Sequence, residues 1–163
     1  MTFREAVLSC FRKYATFSGR ASRSEYWWFW LFCLLGTLTA GITESVINAL
    51  SGTPEGPTLL SGAFNLVTLI PGLAVGWRRM HDTGRSGLYL LYPLIAVIGF
   101  ASFLGLSGAV SAGEEAISGF MQVVIGLALA IIAISPFLVL WWLTRPSQPG
   151  PNSYGPNPHE VNP

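Results

Sequence analysis

Four stretches of this chain are long and apolar enough to cross a lipid bilayer, and every Lys and Arg lies outside them. A helical crossing takes about 20 mostly apolar residues. The stretches run roughly Tyr26–Ile47, Leu59–Trp77, Gly87–Leu106 and Ile117–Leu143. Lipid offers no partner to a backbone N–H or C=O, so each crossing segment has to bond to itself as a helix. A small β-barrel is excluded, because barrel strands alternate and these runs are continuous. Only 10% of the 163 residues are Asp, Glu, Lys or Arg, against about 25% in soluble domains. Hydrophobic residues make up 51% and the mean hydropathy is +0.50. The expected fold is an all-α membrane protein: a four-helix transmembrane bundle over residues 1–145, followed by a Pro/Asn-rich tail over 146–163.

The basic residues fix an expected orientation. Arg4, Arg12, Lys13, Arg20 and Arg23 precede the first stretch. Arg78, Arg79 and Arg85 lie between the second and third, and Arg145 follows the fourth. The other two connections hold no base, only Glu55 in one and Glu114 and Glu115 in the other. With four crossings all nine bases fall on one side, and the positive-inside rule makes that side the cytoplasm. Three or five crossings would scatter them. Trp27, Trp28, Trp77, Trp141 and Trp142 flank the same boundary, as an interfacial belt does. Both termini are therefore expected in the cytoplasm. The net charge of +1 carries no signal for nucleic acid.

Ahead of the first stretch, Phe3, Val7, Cys10, Phe11, Tyr14 and Phe17 recur at helical spacing, with Arg4, Arg12 and Lys13 off that stripe. Thr2 and Glu5 form a capping-box pattern, and so do Ser22 and Glu25 at the first crossing. The segment 3–17 reads as an amphipathic helix. It either lies on the inner membrane surface or packs on the protein's own cytoplasmic end. Gly19 makes the break after it. Ser111 and Glu114 form a third such pattern ahead of the fourth crossing. Charges run throughout Thr2–Arg23, so no cleavable signal is expected. Cys10 and Cys33 fall in cytoplasmic and apolar surroundings, which argues against a disulfide, and they have no metal-site spacing.

Three segments carry a resemblance: FSGRASRSEYWWFWLF (Phe17–Phe32), GWRRMHDTGRSGLYLL (Gly76–Leu91) and PGPNSYGPNP (Pro149–Pro158). In this order they resemble domain-of-unknown-function family 805, whose members are multi-pass proteins of the bacterial cytoplasmic (inner) membrane. Met80 stands where that family often has Leu, and Leu88-Tyr89 where Trp is common. The resemblance implies no established activity. It does imply that Pro149–Pro158 is a specific element, whereas its composition alone reads as disordered.

All three segments lie at the expected cytoplasmic face. They bring Arg20, Arg23, Glu25, Arg78, Arg79, His81, Asp82, Arg85, Asn152 and Tyr154 to one end of the bundle. Five arginines against two acids leave that cluster positive. Arg forks, with the N-terminus of the third crossing at Ser86-Gly87, suit an anion. The bland alternative is a topology signal with arginines snorkelling to head groups and Asp82-Thr83-Gly84 as a plain turn. His81-Asp82 alone completes neither a metal site nor an acid–base pair, so no cofactor and no metal is expected. Asn152 or Tyr154 is expected to contact the Arg78–Ser86 connection or the Gly19–Glu25 turn.

Inside the crossings polar groups are few. Glu44 falls near the outer boundary, and Asn65 is placed to bond a neighbouring helix. Gly72-x-x-x-Gly76 offers close packing. Pro71, Pro93 and Pro136 sit at similar depth, either by the chance alignment of common membrane prolines or as three bends that would splay the cytoplasmic half. The leading expectation is a non-enzymatic membrane protein whose cytoplasmic face binds an anionic lipid head group, a phosphorylated ligand or a partner protein. A homo-oligomer is the further partner option, and nucleic acid is not expected. A small four-helix transporter needs a deep acid, and Glu44 is shallow. A membrane-embedded enzyme would use His81 and Asp82.

Overall fold

Long apolar helices, broken only where the sequence supplies Gly, Pro or a polar cap, make up the chain. The computed structural model describes residues 1–53, 58–110 and 118–160. Glu55, Ser111, Gly113, Glu114, Glu115, Ile117 and the last three residues of the tail lie outside the described residues. The helices are α1 (Phe3–Arg12), α2 (Arg23–Leu50), α3 (Leu59–Asp82), α4 (Tyr92–Val110) and α5 (Ser118–Thr144), with a 3-10 turn at Gly87–Leu91 before α4. Among the described residues there is no strand. Also among them, α2, α3 and the Gln122–Thr144 part of α5 are long and apolar enough to cross a membrane, and Gly87–Phe103 is a shorter apolar stretch.

Several ends depart from the sequence reading. The N-terminal helix stops at Arg12, not near residue 17. Lys13 caps it, and Phe17, beyond it, sets its ring edge-on to Trp77 at 5.7 Å. The capping box at its start is complete: Thr2 N–H donates to Glu5 Oε2 at 2.8 Å, and Glu5 N–H to Thr2 Oγ1 at 3.4 Å. The bond from Thr2 N–H holds the Glu5 carboxyl below its usual range. The second box is half made. Ser22 accepts from Glu25 N–H, but the Glu25 carboxylate turns away to other partners.

The second apolar stretch does not end at Trp77. Helix α3 continues through Arg78, Arg79, His81 and Asp82, so the Arg-Arg-x-His-Asp run is helical rather than a loop. It stops at Gly84, whose φ of +74° ends the turn and whose missing Cβ leaves room for the Gln148 side chain. The third stretch does not start as α-helix at Gly87. Ser86 caps a 3-10 turn there, and α4 opens at Tyr92.

The prolines explain themselves one by one. Pro93 sits in the first turn of α4, where a missing N–H costs little, so it is not a third bend. Pro71 and Pro136 are inside α3 and α5. Proline breaks the bond to the carbonyl four residues back, which leaves Val67 and Ile132 open. Tyr14 Oη donates to Val67 O at 2.7 Å, and Ser135 Oγ to Ile132 O at 3.1 Å.

Two apolar clusters hold the structure. One joins Cys10, Ala21, Phe29 and Val75, with Phe11 and Phe32 against them. The other joins Met80, Val139 and Leu143, with Leu90 and Trp142. Tyr26 packs on both. The stripe of α1 thus packs on α2 and α3, burying Ala6 and Cys10 completely. Helix α4 packs on α5. Away from the clusters, large apolar side chains such as Leu38, Ile42, Leu66, Leu127 and Ile134 face outward, as they do on a lipid-facing surface.

Candidate functional site

Two buried clusters of charge organise the end where α2 begins and α3 and α5 finish. Asp82, the last residue of α3, has no exposed surface. Its Oδ1 accepts from Arg20 Nε at 2.9 Å. Its Oδ2 accepts from Arg79 Nη1 and from Ser147 Oγ, the latter at 2.5 Å. Two guanidiniums against one carboxylate leave a surplus positive charge, which is tolerable in the interior only if the remaining donors are bonded. They are. Arg20 Nη1 donates to the carbonyls of Gly150 at 2.8 Å and Gly155 at 3.3 Å, and its Nη2 to Gln148 O at 2.7 Å. Arg79 Nε donates to Leu143 O at 3.0 Å, and its Nη2 to Arg145 O. The last carbonyls of a helix have no partner within it and form its negative end. Arg79 therefore serves as the cap of α5.

The second cluster pairs Arg78 with Glu25. Arg78 Nη1 donates to Glu25 Oε1 at 3.0 Å, Ser9 Oγ to the same oxygen at 3.1 Å, and Lys13 Nζ lies 4.0 Å away. Among the described residues, the buried side-chain nitrogens without a partner are Nε and Nη2 of Arg78. The Arg78 carbonyl accepts from Ala21 N–H at 3.0 Å. Cys10 lies in the same cluster. Burial, seconded by the Glu25 charge, pushes its thiol up to about 12, so it is an apolar filler rather than a nucleophile.

The segment after α5 docks on this end. Gln148 N–H donates to Asp82 O at 3.0 Å. Asn152 Nδ2 donates to His81 O at 3.0 Å, and Tyr154 lays its ring flat on the His81 imidazole, 3.8 Å between centroids and 6° between planes. His81 Nδ1 donates to Gly19 O at 3.0 Å. Asn152 and Gly155 exchange backbone bonds across a tight turn, and Gly155 takes φ +133°. Glu160 closes the segment by accepting from Gly150 N–H and Asn157 Nδ2. The tail thus touches both motif segments, through His81 and Asp82 on one and Arg20 on the other.

Of the residues singled out from the sequence, Arg20, Glu25, Arg78, Arg79, His81, Asp82, Asn152 and Tyr154 come together. Arg20, Arg78 and Arg79 are buried with their charges turned inward, so they present no open fork to an outside anion. Arg23 is exposed at the start of α2. Arg85 and Ser86 stand apart: Arg85 lies 5.0 Å over the Trp142 ring, and Ser86 caps the 3-10 turn. Burial and the nearby Arg145 charge lower the Arg85 guanidinium. Sequence reasoning missed Ser9, Ser147, Gln148 and the α5 carbonyls. Backbone carbonyls have no sequence signature, but Arg79 facing a helix that ends at Thr144 is the pairing that helix-end chemistry anticipates. Among the described residues, no three His, Cys, Asp or Glu side chains gather in metal-binding range.

A family described as protein of unknown function (DUF805) has a model that matches residues 14–156. This chain belongs to that family. The DUF805 match takes in the Arg20 turn, the α3 end and the docked tail. The chain is 38% identical over 114 residues to inner membrane protein YhaI of Escherichia coli (strain K12), covering 66% of this chain and 92% of the relative. It is 34% identical over 93 residues to inner membrane protein YhaH of the same strain, covering 57% of this chain and 75% of the relative. No solved structure matches. With its long apolar helices, this DUF805 member is an integral membrane protein.

Proposed function

We propose that this DUF805 protein crosses the bacterial inner membrane four times with both ends in the cytoplasm. Its cytoplasmic face binds an anionic head group, a phosphorylated ligand or a partner protein, without catalysis. The observation that carries this reading is the division among its arginines. Arg20 and Arg79 are spent on Asp82 and on carbonyls, and Arg78 is buried with one nitrogen on Glu25, which ties that end together. Arg4, Arg12, Arg23, Arg85 and Arg145 have no acid within 4.0 Å among the described residues and belong to that same end. Helix α1 packs on α2 and α3 and leaves Arg4, Arg12 and Lys13 exposed, which suits a helix at the membrane surface with its bases toward head groups.

The other readings have less support. Glu44, the acid a transporter would need, accepts from Leu60 N–H, from Ser61 N–H at 3.2 Å and from Ser61 Oγ at 2.6 Å. It caps the start of α3. Asn65 accepts from Thr37 Oγ1 at 2.7 Å, a bond between α2 and α3. For an enzyme, Asp82 is saturated by three donors and His81 lies under Tyr154. Native mass spectrometry of the gently extracted protein tests the proposal. Retained anionic lipid, phosphorylated metabolite or protein is the expected result. Retention of nothing but zwitterionic lipid would overturn it.

A further inference from the structure

Along the start of α2 runs an open groove of about 580 Å³, lined by Arg23, Ser24, Trp27, Trp30 and Leu31 of that helix and by Thr144 at the end of α5. Its chemistry is graded. A cation and a hydroxyl stand at the cytoplasmic mouth, indole rings come next, and Leu31 lies eight residues on, about 12 Å deeper at 1.5 Å per residue. Trp27 and Trp30 meet edge-on at 5.7 Å and form one wall. Trp30 is 47% exposed. We propose that this groove seats one anionic phospholipid, its phosphodiester on Arg23 and Ser24 and one acyl chain along Trp27, Trp30 and Leu31. The proposal rests on the membrane-face reading above and narrows its anion to a lipid.

Charge is the first argument. Arg23 has no acid within ion-pair distance among the described residues. Arg20 and Arg23 both act electrostatically on Arg79, and the one carboxylate among them, Asp82, is already shared by Arg20 and Arg79. That leaves Arg23 as an outward-facing positive charge, available to an anion from outside the chain. The positive end of α2 adds to it. The second argument separates a lipid from free phosphate. Below the cation the wall is indole and leucine, which a hydrophilic anion cannot cover and an acyl chain can. A zwitterionic lipid carries the same phosphate, but its ammonium would add to a surplus that is already positive.

The test is a native mass spectrometry titration of the full chain with phosphatidylglycerol and with phosphatidylcholine of the same acyl chains. Wild type is expected to prefer phosphatidylglycerol. Arg23→Gln is expected to weaken that lipid about fivefold, the effect of one base at a membrane surface, and Arg23→Lys to retain most of the binding. Trp30→Gln is expected to weaken both lipids. Equal losses from Arg12→Gln and Arg23→Gln would overturn the groove in favour of diffuse attraction to the basic face. If glycerol 3-phosphate binds through Arg23 and phosphatidylglycerol does not, the groove fails while the broader anion reading survives. Arg23 is exposed, and unchanged gel-filtration and melting behaviour of its variants keeps either result interpretable.

Discussion

A carboxylate with no exposed surface, already accepting from two guanidiniums and a hydroxyl, has no capacity left for an outside ligand. Asp82 is in that position, and its role is to let Arg20 and Arg79 be buried at all. Removing one partner of a buried ion cluster strands the others, at a cost of about 3–5 kcal/mol. Asp82→Asn keeps the shape and removes the charge. It is expected to lower the stability of the detergent-solubilised protein by that amount in a thermal or denaturant melt. A change within error would mean that the two arginines are neutralised in some other way. Cys10 gives a second residue-scale expectation. Its thiol is fully buried and pushed up to about 12, so almost none of it is thiolate at neutral pH. Maleimide should leave Cys10 unmodified in the folded protein and label it after denaturation in SDS. Rapid labelling of the folded form would show that α1 lifts off α2 and α3.

Among the elements, the tail shows where composition misleads. Residues 146–163 are rich in Pro, Asn and Gly, yet the segment from Ser147 to Glu160 is tied to Arg20 ahead of α2, to the end of α3 and to itself. The prolines reduce the entropy lost on ordering, and Gly150 and Gly155 supply the positive-φ turns. Tyr154→Ala removes the ring stacked on His81 and is expected to cost about 1–3 kcal/mol, read in the same melt. No loss would mean that the stack contributes nothing and that the bonds of Arg20, Ser147, Gln148 and Asn152 hold the segment. The helices themselves were legible in the sequence because hydropathy is a local signal. Their polar ends were less so. Hydropathy ends α3 at Trp77, while the helix runs to Asp82 because its buried polar side chains find partners on Arg20, Leu143, Arg145 and Ser147, far away in sequence. The Ser22–Glu25 box was half legible for the same reason: Arg78 and Ser9 compete for the carboxylate. Pro93 looked like a bend because the 3-10 turn at Gly87–Leu91 was read as α-helix, which moved the start of α4 and with it the meaning of the proline. In the candidate site, motif residues marked most of the side chains that converge. They gave no hint that the arginines would face inward onto carbonyls.

At the scale of the whole molecule, the clasp bears on how many times the chain crosses the membrane. Arg79 bonds the carbonyls of Leu143 and Arg145, and Gln148 bonds Asp82, so the C-terminal ends of α3 and α5 lie side by side. Helix α3 and the Gln122–Thr144 part of α5 are each long and apolar enough to cross. Two crossing helices that finish on the same face need a return crossing between them. The segment available for it is Gly87–Val110, the 3-10 turn and α4. This argument supports the proposed fourth crossing independently of the positive-inside rule, and both place Arg78, Arg79, Arg85 and Arg145 on one side. It also makes the topology testable at exposed positions of known structure. Thr53 follows α2 and Ser153 lies in the docked tail, both exposed. Cys10 is buried and unreactive as a background, and Cys33 lies within α2. With a membrane-impermeant maleimide on spheroplasts, Thr53→Cys should be labelled and Ser153→Cys protected. In inverted inner-membrane vesicles the pattern should reverse. Labelling of Thr53→Cys from the cytoplasmic side would overturn the orientation. Labelling of both positions from one side would mean an even number of crossings between them, so that α3, α4 or α5 does not cross, and would overturn the reading of the basic end as a cytoplasmic face.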